Sequence, residues 1–386
     1  MVKRIMRPDE ITRREFLRLM ALAGGSVALA SCGGTSAEAT PWPITASADD
    51  VLKAAQSEGN LTTIALPHDW ANYGEIISTY KSKYNMQVNE LNPNAGSADE
   101  LEAIRANKDS KGPQAPDVVD VGIGYTDGAK KEGLWAAWKV PDWDTIPNDL
   151  KDPDGFWWAE YYGVLVFEID KDLITEMPQD WEDLLKPIYK GKVAMAGDVL
   201  KSNQSVQTVL ASGLSRTNGD IATAPQAGLE FWKEMVANGN FIPVIADQGT
   251  IAQGETPIVM EWDYLGLANR DALAGNPPLE IIVPKTGVLG GPYAGAISAY
   301  APHPAAARLW WNYVMSDEGQ NLYLKGYAHP ARFTDMANRG VIPADLLAKL
   351  PPAEDYAKAT FLTVEQLNTT KTYITDNWRK VVYGEG

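Results

Sequence analysis

The chain has 386 residues, with 50 acidic and 34 basic side chains, and its formal net charge at pH 7 is −16. An acidic protein of this kind repels nucleic acid and anionic lipid headgroups, so neither is an expected partner of its folded body. Only one cysteine is present, which excludes an intramolecular disulfide and a metal site built from several thiolates.

The first 31 residues have the composition of an export signal. Six basic side chains lie among residues 3–18, and an apolar run of 13 residues follows from Leu19 to Ser31. At 1.5 Å per residue this run covers roughly 20 Å, which is too short for a bilayer core of roughly 30 Å. The segment is therefore expected to be a targeting sequence and not a membrane span.

Two short motifs refine this interpretation. Thr12–Leu17 (TRREFL) resembles a twin-arginine export motif, and Leu29–Cys32 (LASC) resembles the lipobox at which a lipoprotein is cut and acylated. The sequence therefore predicts a twin-arginine/lipoprotein signal peptide over residues 1–31, lipid attachment at Cys32 and a flexible tether over 32–48. The mature protein would be periplasmic or at the cell surface, with a charge of −19, because six basic and three acidic residues leave with the signal. An unprocessed basic N-terminus is the alternative.

From residue 49 the pattern alternates between helix and strand. Ser47 can cap a helix that ends at Gly59. In chain order we then predict a strand at 61–66, a helix at 72–84, a strand at 86–91, a helix capped by Ser97 and a buried strand at 115–124. Strands joined by crossover helices form a βαβαβ unit, which indicates a doubly wound α/β lobe.

A second region follows a further predicted strand at 162–170. Its predicted elements are a short helix at 181–185, strands at 192–197, 256–262 and 280–285, and helices that begin after Ser202 and at Gln226. The last 100 residues have a mostly helical pattern. Since roughly 350 mature residues exceed what a single hydrophobic core usually fills, two lobes are expected.

Four stretches, in this order, resemble the extracellular solute-binding proteins of ATP-binding-cassette (ABC) importers, most closely the group that includes polyamine and ferric-ion binders. They are residues 53–66 (KAAQSEGNLTTIAL), 116–122 (PDVVDVG), 177–198 (MPQDWEDLLKPIYKGKVAMAGD) and 301–327 (APHPAAARLWWNYVMSDEGQNLYLKGY). The resemblance implies a two-lobed periplasmic-binding-protein fold, type II-like. In that fold each lobe is a doubly wound sheet flanked by helices, and the chain crosses twice between the lobes.

The resemblance also implies boundaries and partners. Lobe one would comprise residues 49–160 plus 290–386 and lobe two residues 165–285, with hinge strands near 162–167 and 282–293. The implied partners are a small-molecule solute and the membrane permease of the importer. A monomer without a cofactor is expected.

A secreted enzyme is the competing class of protein. The sequence contains neither G-x-S-x-G nor H-E-x-x-H, and its three histidines, His68, His303 and His329, lie far apart along the chain. The carboxylates Asp117 and Asp120 are interpreted as solvated residues at a strand end. These patterns favour a binding protein with no catalytic or metal site.

Ligand contacts are expected beyond the carboxyl ends of the strands, where open α/β sheets bind their ligands. The predicted ligand-binding residues are Asp69, Trp70, Tyr125, Tyr162, Ser202, Asn203, Trp262, Asp263, Tyr264 and Tyr293. An exposed Trp262 beside Asp263 would suit an ammonium group through charge pairing and a cation–π contact worth roughly 0.5–2 kcal/mol. The helix start at Ser202 offers an anion its backbone N–H groups, although a plain N-cap is the ordinary role of such a serine.

These residues favour an organic amine or a zwitterion, such as a polyamine, as the solute. A ferric ion or an oxyanion of the phosphonate or sulfate type is the alternative. Ferric binders of this family usually present two adjacent tyrosines after the lobe-two strand, where this chain has Tyr264 alone. The adjacent pair Tyr161–Tyr162 falls near the first crossing instead, which weakens the case for iron.

Overall fold

The computed structural model describes residues 46–348 and 358–385, so the predicted signal peptide and Cys32 lie outside the described residues. The described chain is mixed α/β. Its helices are Ala48–Glu58 (α1), Tyr73–Tyr84 (α2), Ser97–Ala106 (α3), Thr126–Glu132 (α4), Asn203–Arg216 (α5), Ala224–Ala237 (α6), Gln248–Ala252 (α7), Asp263–Leu273 (α8), Pro304–Val314 (α9), Asp317–Lys325 (α10), Phe333–Arg339 (α11), Ala344–Leu347 (α12) and Val364–Trp378 (α13).

The strands alternate with these helices in the first two thirds of the chain. They are Asn60–Ile64 (β1), Gln87–Leu91 (β2), Val118–Gly122 (β3), Trp135–Ala136 (β4), Trp158–Asp170 (β5), Val193–Met195 (β6), Phe241–Ile245 (β7), Ile258–Trp262 (β8), Leu279–Ile282 (β9), Leu289–Ser298 (β10), His329–Pro330 (β11) and Thr360–Phe361 (β12). A π-helical turn, Arg379–Tyr383, follows α13.

Helix capping follows the sequence closely at most ends. Ser47 accepts a hydrogen bond from the backbone N–H of Asp50 at the start of α1, and Gly59 ends that helix with φ 71°. Ser202 caps α5 in the same way, through the N–H of Ser205. Ser97, which the sequence suggests as a cap, is instead the first residue of α3. Its hydroxyl accepts from the N–H of Gly122, so it serves the neighbouring strand.

The sheets differ from the predicted βαβαβ order in one respect. Strands β1 and β2 pair in parallel around α2, as expected for a crossover unit. Strand β3, however, pairs antiparallel with β10, whose first half lies in the hinge strand expected near 282–293 and whose second half was not predicted. The large sheet has ten strands, with the path β12-β10-β5-β8-β6-β7. Strands β3 and β4 pair with β10, and β9 and β11 pair with β5.

Strand β5 is the element that joins the two parts of this sheet. Its first residues, from Trp158 to Val164, pair with β10, while Leu165 to Asp170 pair with β8 and β9. Its 13 residues are nearly all buried. Beyond β8 lie the parallel strands β6 and β7, so one long strand carries the chain from one part of the sheet into the other.

The C-terminal helix α13 contacts elements on both sides of β5. It packs on the 3-10 turn Ile123–Tyr125 that follows β3, and also on α5 and α6. Leu367 faces Gly124, and the Tyr373 hydroxyl donates to Gln226 Oε1 at 2.6 Å. This helix, which the sequence assigns to lobe one, thus also contacts α5 and α6 of the region assigned to lobe two. Among the described residues, no helix is both long and apolar enough to cross a membrane.

Candidate functional site

An aromatic cluster lies where the two parts of the large sheet meet. The Trp70 ring makes edge contacts with Tyr264 at 5.6 Å and with Tyr293 at 5.7 Å between centroids. Tyr161 stacks in parallel on Tyr293 at 5.4 Å and meets Tyr264 edge-on at 5.7 Å. The Trp262 indole N–H donates to the Tyr293 hydroxyl at 3.2 Å. Four of the predicted ligand-binding residues are therefore brought together by the fold.

Five different elements supply this cluster. Trp70 lies in the turn after β1, Tyr161 in β5, Trp262 at the end of β8, Tyr264 in the first turn of α8 and Tyr293 in β10. Two glycines provide the space that the large rings occupy. A Cβ on Gly291 would lie 2.1 Å from the Trp262 ring, and one on Gly163 would lie 2.6 Å from the Tyr264 ring.

The aromatic cluster is more buried than the sequence suggests. Trp262 and Tyr264 are fully buried and Tyr293 is 4% exposed, whereas Trp70 is partly exposed. The expectation of an exposed Trp262 is wrong, because its ring covers Gly291 of β10. Its backbone N–H is also held, by Gln204 Oε1 at 2.8 Å. Trp70 is thus the member of the cluster best placed to meet a ligand from solvent.

Behind the cluster lies a buried pair of carboxylates, Asp120 and Glu160. The Asp120 Oδ2 atom accepts from the Tyr161 hydroxyl at 2.7 Å and from the Tyr73 hydroxyl at 3.0 Å. Glu160 Oε2 accepts from the Tyr323 hydroxyl. Burial raises the pKa of Asp120 to about 6, and burial together with the charge of Asp120 raises that of Glu160 well above its usual range. The pair therefore carries less than two negative charges near neutral pH.

Asp263 has internal partners at this site. Its Oδ1 accepts from the backbone N–H of Val164 at 2.9 Å, and its Oδ2 lies 3.8 Å from Nε2 of His329. The His329 ring stacks on Tyr162 at 4.9 Å. Burial lowers the pKa of His329, so the ring is mostly neutral at pH 7. Asp263 is thus held by β5 and is 1% exposed, while Tyr162 of β5 packs against His329 of β11.

The remaining predicted residues lie at the start of α5, in the buried 3-10 turn after β3 and in the exposed turn after β1. Asn203 packs directly on Gly122, where a Cβ would lie 2.0 Å from its Cγ, and Ser202 acts as the helix cap. Tyr125 is buried beneath Lys371 of α13, whose Nζ lies 3.9 Å from the ring centroid. Burial lowers the pKa of Lys371 to about 8. Asp69 is exposed beside Trp70.

Asp120 and Glu160 were not predicted as parts of this region, and Tyr161 was noted only as the neighbour of Tyr162 near the first crossing. Asp117 and Asp120 were expected to be solvated, yet they are 0% and 4% exposed. The local signal for Asp120 was its position inside the apolar run of β3, which fits a buried, hydrogen-bonded carboxylate as well as a strand end in water. Asp117 lies elsewhere, with its Oδ2 2.8 Å from Nδ1 of His303, and that carboxylate raises the pKa of His303.

No group of three or more His, Cys, Asp or Glu side chains that could hold a metal ion occurs within residues 46–348 and 358–385. The three histidines lie at separate places. His68 contacts Glu90 at 2.6 Å on the surface, while His303 and His329 have the partners given above. Phenolates can also bind iron, so the tyrosines decide whether an iron site is present.

Comparisons with known proteins identify the family. The family described as bacterial extracellular solute-binding protein matches residues 114–368, about two thirds of the chain, and the chain belongs to this family. No curated protein matches the sequence.

Solved structures of periplasmic binding proteins share the fold. The fructose-6-phosphate-bound protein AfuA of Actinobacillus pleuropneumoniae is 21% identical with a TM-score of 0.67, over 84% of this chain and 99% of that one. Iron-bound HitA of Pseudomonas aeruginosa is 17% identical with a TM-score of 0.63, over 83% and 99%. A putative spermidine/putrescine transporter protein of Listeria monocytogenes is 13% identical with a TM-score of 0.61, over 83% and 99%. The predicted two-lobed periplasmic-binding-protein fold is confirmed.

Proposed function

We propose that this chain is the lipid-anchored solute-binding protein of an ABC importer, which captures a small polar solute between its lobes and passes it to a permease. The observation that carries the proposal is the aromatic cluster, because it combines side chains from both parts of the sheet at the strand that joins them. A solute bound there would contact both lobes at once, so its binding energy would hold them together.

The lobe boundaries are part of this proposal. Lobe one would comprise residues 49–160 plus 290–386, and lobe two residues 165–285. The pairing of β5 supports this division, since its two ends belong to different parts of the sheet. The return from β9 to β10 would be the second crossing. Helix α13 is the exception, because it contacts both lobes as so defined.

An organic amine or a zwitterion is the solute class that the residues favour. Trp70 and the tyrosines beside it offer aromatic faces, and Asp69 and the buried carboxylates make the region negative. Aromatic faces and carboxylates together attract ammonium groups and repel simple anions. A zwitterion could also place its carboxylate near the start of α5. The similar Listeria protein is described as a putative spermidine/putrescine transporter, which agrees with an amine as the solute.

A ferric ion or an oxyanion is the second candidate, since HitA is an iron-bound structure and AfuA holds a sugar phosphate. Iron would need phenolate ligands from the tyrosines. Burial raises the pKa of Tyr161 and of Tyr264 well above the ordinary value, which favours the neutral phenols. Iron would therefore have to release the protons of both phenols when it binds.

A thermal-shift screen of the mature protein tests the proposal and separates these solutes. The compounds are putrescine, spermidine, amino acids, phosphonates and ferric citrate. A ligand at 100 times its dissociation constant adds about 2.7 kcal/mol to the free energy of unfolding, so a true solute gives a clear rise in Tm. If ferric citrate alone stabilises the protein, iron and not an amine is the solute. A protein that none of these classes stabilises would contradict the proposed solute classes.

Asp263→Asn tests the predicted ammonium contact. The amide keeps an oxygen for the Val164 N–H, so the fold is expected to remain while the negative charge is lost. If an ammonium group lies at Asp263, affinity should fall by about 10- to 150-fold, which corresponds to about 1.5–3 kcal/mol for a charge-assisted hydrogen bond. Calorimetry with the solute found in the screen measures this change. Asp69→Asn is the matched variant on the exposed side of Trp70, and an unchanged affinity in Asp263→Asn would place the ammonium elsewhere.

The proposed export route gives a separate prediction. Replacing Arg13 and Arg14 by lysine should leave the precursor in the cytoplasm, and Cys32→Ser should prevent acylation. Cell fractionation and intact mass of the purified protein measure both effects. Detection of wild-type protein that retains residues 1–31 and lacks lipid at Cys32 would rule out the lipoprotein interpretation.

A further inference from the structure

The hydroxyl of Tyr161 joins the partly exposed Trp70 to the buried carboxylates. The Trp70 indole N–H lies 2.6 Å from this hydroxyl, and the hydroxyl lies 2.7 Å from Asp120 Oδ2. An indole nitrogen can only donate, so Tyr161 accepts from Trp70 and its single proton is directed to Asp120. The directions of both hydrogen bonds therefore follow from the chemistry of the groups.

We propose that Tyr161 is a positioning residue for solute binding, which fixes the Trp70 ring and transmits to it the ionisation state of the Asp120–Glu160 pair. The proposal rests on the proposed function in one respect only, namely that Trp70 forms part of the solute site. The hydrogen-bonded link itself exists without a solute, and it can be measured without one.

The position of Tyr161 makes it a rigid support. It is fully buried, and its ring is held between Tyr293, stacked at 5.4 Å, and Tyr323, at 4.7 Å. The Trp70 ring makes edge contacts with Tyr264 and Tyr293, and its backbone bonds Pro67 through the N–H and Tyr73 through the carbonyl oxygen. The orientation of the indole therefore depends on the bond to Tyr161 more than on close packing.

The ionisable groups around the pair come from several elements. They are Glu100 of α3, Tyr73 of α2, Tyr323 of α10, Tyr264 of α8, and Tyr161 and Tyr293 of β5 and β10. Burial is the largest influence on both carboxyl groups, and hydrogen bonds from Glu160, Tyr161 and Tyr73 oppose it at Asp120. Both pKa values are therefore raised, that of Glu160 further than that of Asp120, so the pair holds a proton to higher pH than separate carboxyl groups would.

Ionisation of Asp120 changes the bond network in a defined direction. A protonated Asp120 is a weaker acceptor, so the Tyr161 hydroxyl is then less polarised and accepts less strongly from the indole. The ionised carboxylate, which forms as the pH rises, strengthens both bonds. The Trp70 indole N–H is expected to report this change although it does not touch the carboxylate.

Nuclear magnetic resonance of the mature protein, labelled with ¹⁵N at the indole nitrogens, tests the proposal without solute. The Trp70 signal is assigned by its loss in Trp70→Phe. We expect it to shift between pH 5 and 8, and the shift to disappear in Tyr161→Phe and in Asp120→Asn. The Trp138 indole, which donates to Asn312 Oδ1 at 2.9 Å, is an internal control that should not follow the same titration. A Trp70 signal that does not titrate, or that titrates unchanged in Tyr161→Phe, overturns the proposal.

Binding of spermidine provides the second measurement. Tyr161→Phe should lower the affinity about tenfold by removing the hydrogen bond that holds the Trp70 indole. Tyr73→Phe should change it less, because it removes another hydroxyl that bonds Asp120 but none that bonds the indole. Equal effects of the two variants would overturn the positioning role. If spermidine does not bind while the Trp70 signal titrates as expected, the proposed amine fails and the positioning of Trp70 by Tyr161 stands.

Discussion

Gly213→Ala is expected to destabilise the folded protein by about 1–3 kcal/mol or more, the range for inserting a carbon into a packed interior. Gly213 lies in α5 where this helix crosses α6. A Cβ there would lie 1.9 Å from the carbonyl oxygen of Ala224 and 2.8 Å from the backbone nitrogen of Gly228. Since these are backbone atoms, they cannot rotate away, and the two helices would have to separate.

Helices α5 and α6 each contribute a glycine to this close crossing. A Cβ on Gly228 would lie 2.1 Å from the carbonyl oxygen of Val209, so α6 meets α5 through a second glycine. Gly228→Ala should therefore have a similar effect. The double variant should lose less stability than the sum of the two single losses, because helices separated by the first methyl already make room for the second.

Urea and thermal denaturation of the three variants measure these losses. Gly128→Ala in α4 is the matched control, because nothing lies within 4 Å of its Cβ position and the residue is exposed. Alanine at an unobstructed helical position stabilises by roughly 0.5–1 kcal/mol, so the control and test variants should move in opposite directions. Wild-type stability in Gly213→Ala would show that α5 and α6 do not pack as described.

Most elements could be predicted because their signals are local. The cap at Ser47, the αL glycine at Gly59 and the cap at Ser202 each depend on a few neighbouring residues. Strand β10 was predicted only in part, as the end of the hinge strand near 282–293 that the resemblance implied. Its sequence, Leu289–Ser298, contains three glycines and a proline and lacks the alternation of a typical strand. Those glycines are needed by the fold, since Gly291 and Gly295 lie under the rings of Trp262 and Trp311.

The candidate site could be predicted only in part. The rule that ligands lie beyond strand ends selected Trp70, Trp262, Tyr264 and Tyr293, and these residues do lie together. Their role in solute binding stays a prediction. Asp263 was selected by the same rule, but its bond to the Val164 N–H depends on residues 99 positions apart in sequence.

The burial of these carboxylates could not be predicted from the sequence, for a physical reason. A single acid inside an apolar run can be a strand end in water or a hydrogen-bonded group in the core. The choice between them at Asp120 is made by hydroxyls from α2 and β5, Tyr73 and Tyr161, which no local pattern brings next to it. Long-range partners of this kind are visible only once the fold is known.

Gly122→Val is expected to hold the proposed lobes apart and to lower solute affinity about 100-fold. Gly122 ends β3, and a Cβ there would lie 2.0 Å from Cγ and 2.2 Å from Oδ1 of Asn203, which begins α5 on the other part of the sheet. The nearby N–H of Ala98 donates to the carbonyl oxygen of Lys201, so this contact would join the two proposed lobes. Any side chain at residue 122 must displace it. If the closed population falls to about 1%, the apparent affinity falls by the same factor.

Spin labels measure the closing directly, because a mature protein with Cys32→Ser has no other cysteine. Labels at Lys53→Cys and Lys190→Cys, both exposed, would lie on different lobes. We expect Gly122→Val to lengthen the distance between them with and without solute. Gly122→Ala combined with Asn203→Gly should restore the shorter distance, since the second change vacates the space that the new methyl needs. A wild-type distance and affinity in Gly122→Val would mean that the Gly122–Asn203 contact takes no part in closing, and that solute binds without bringing these surfaces together.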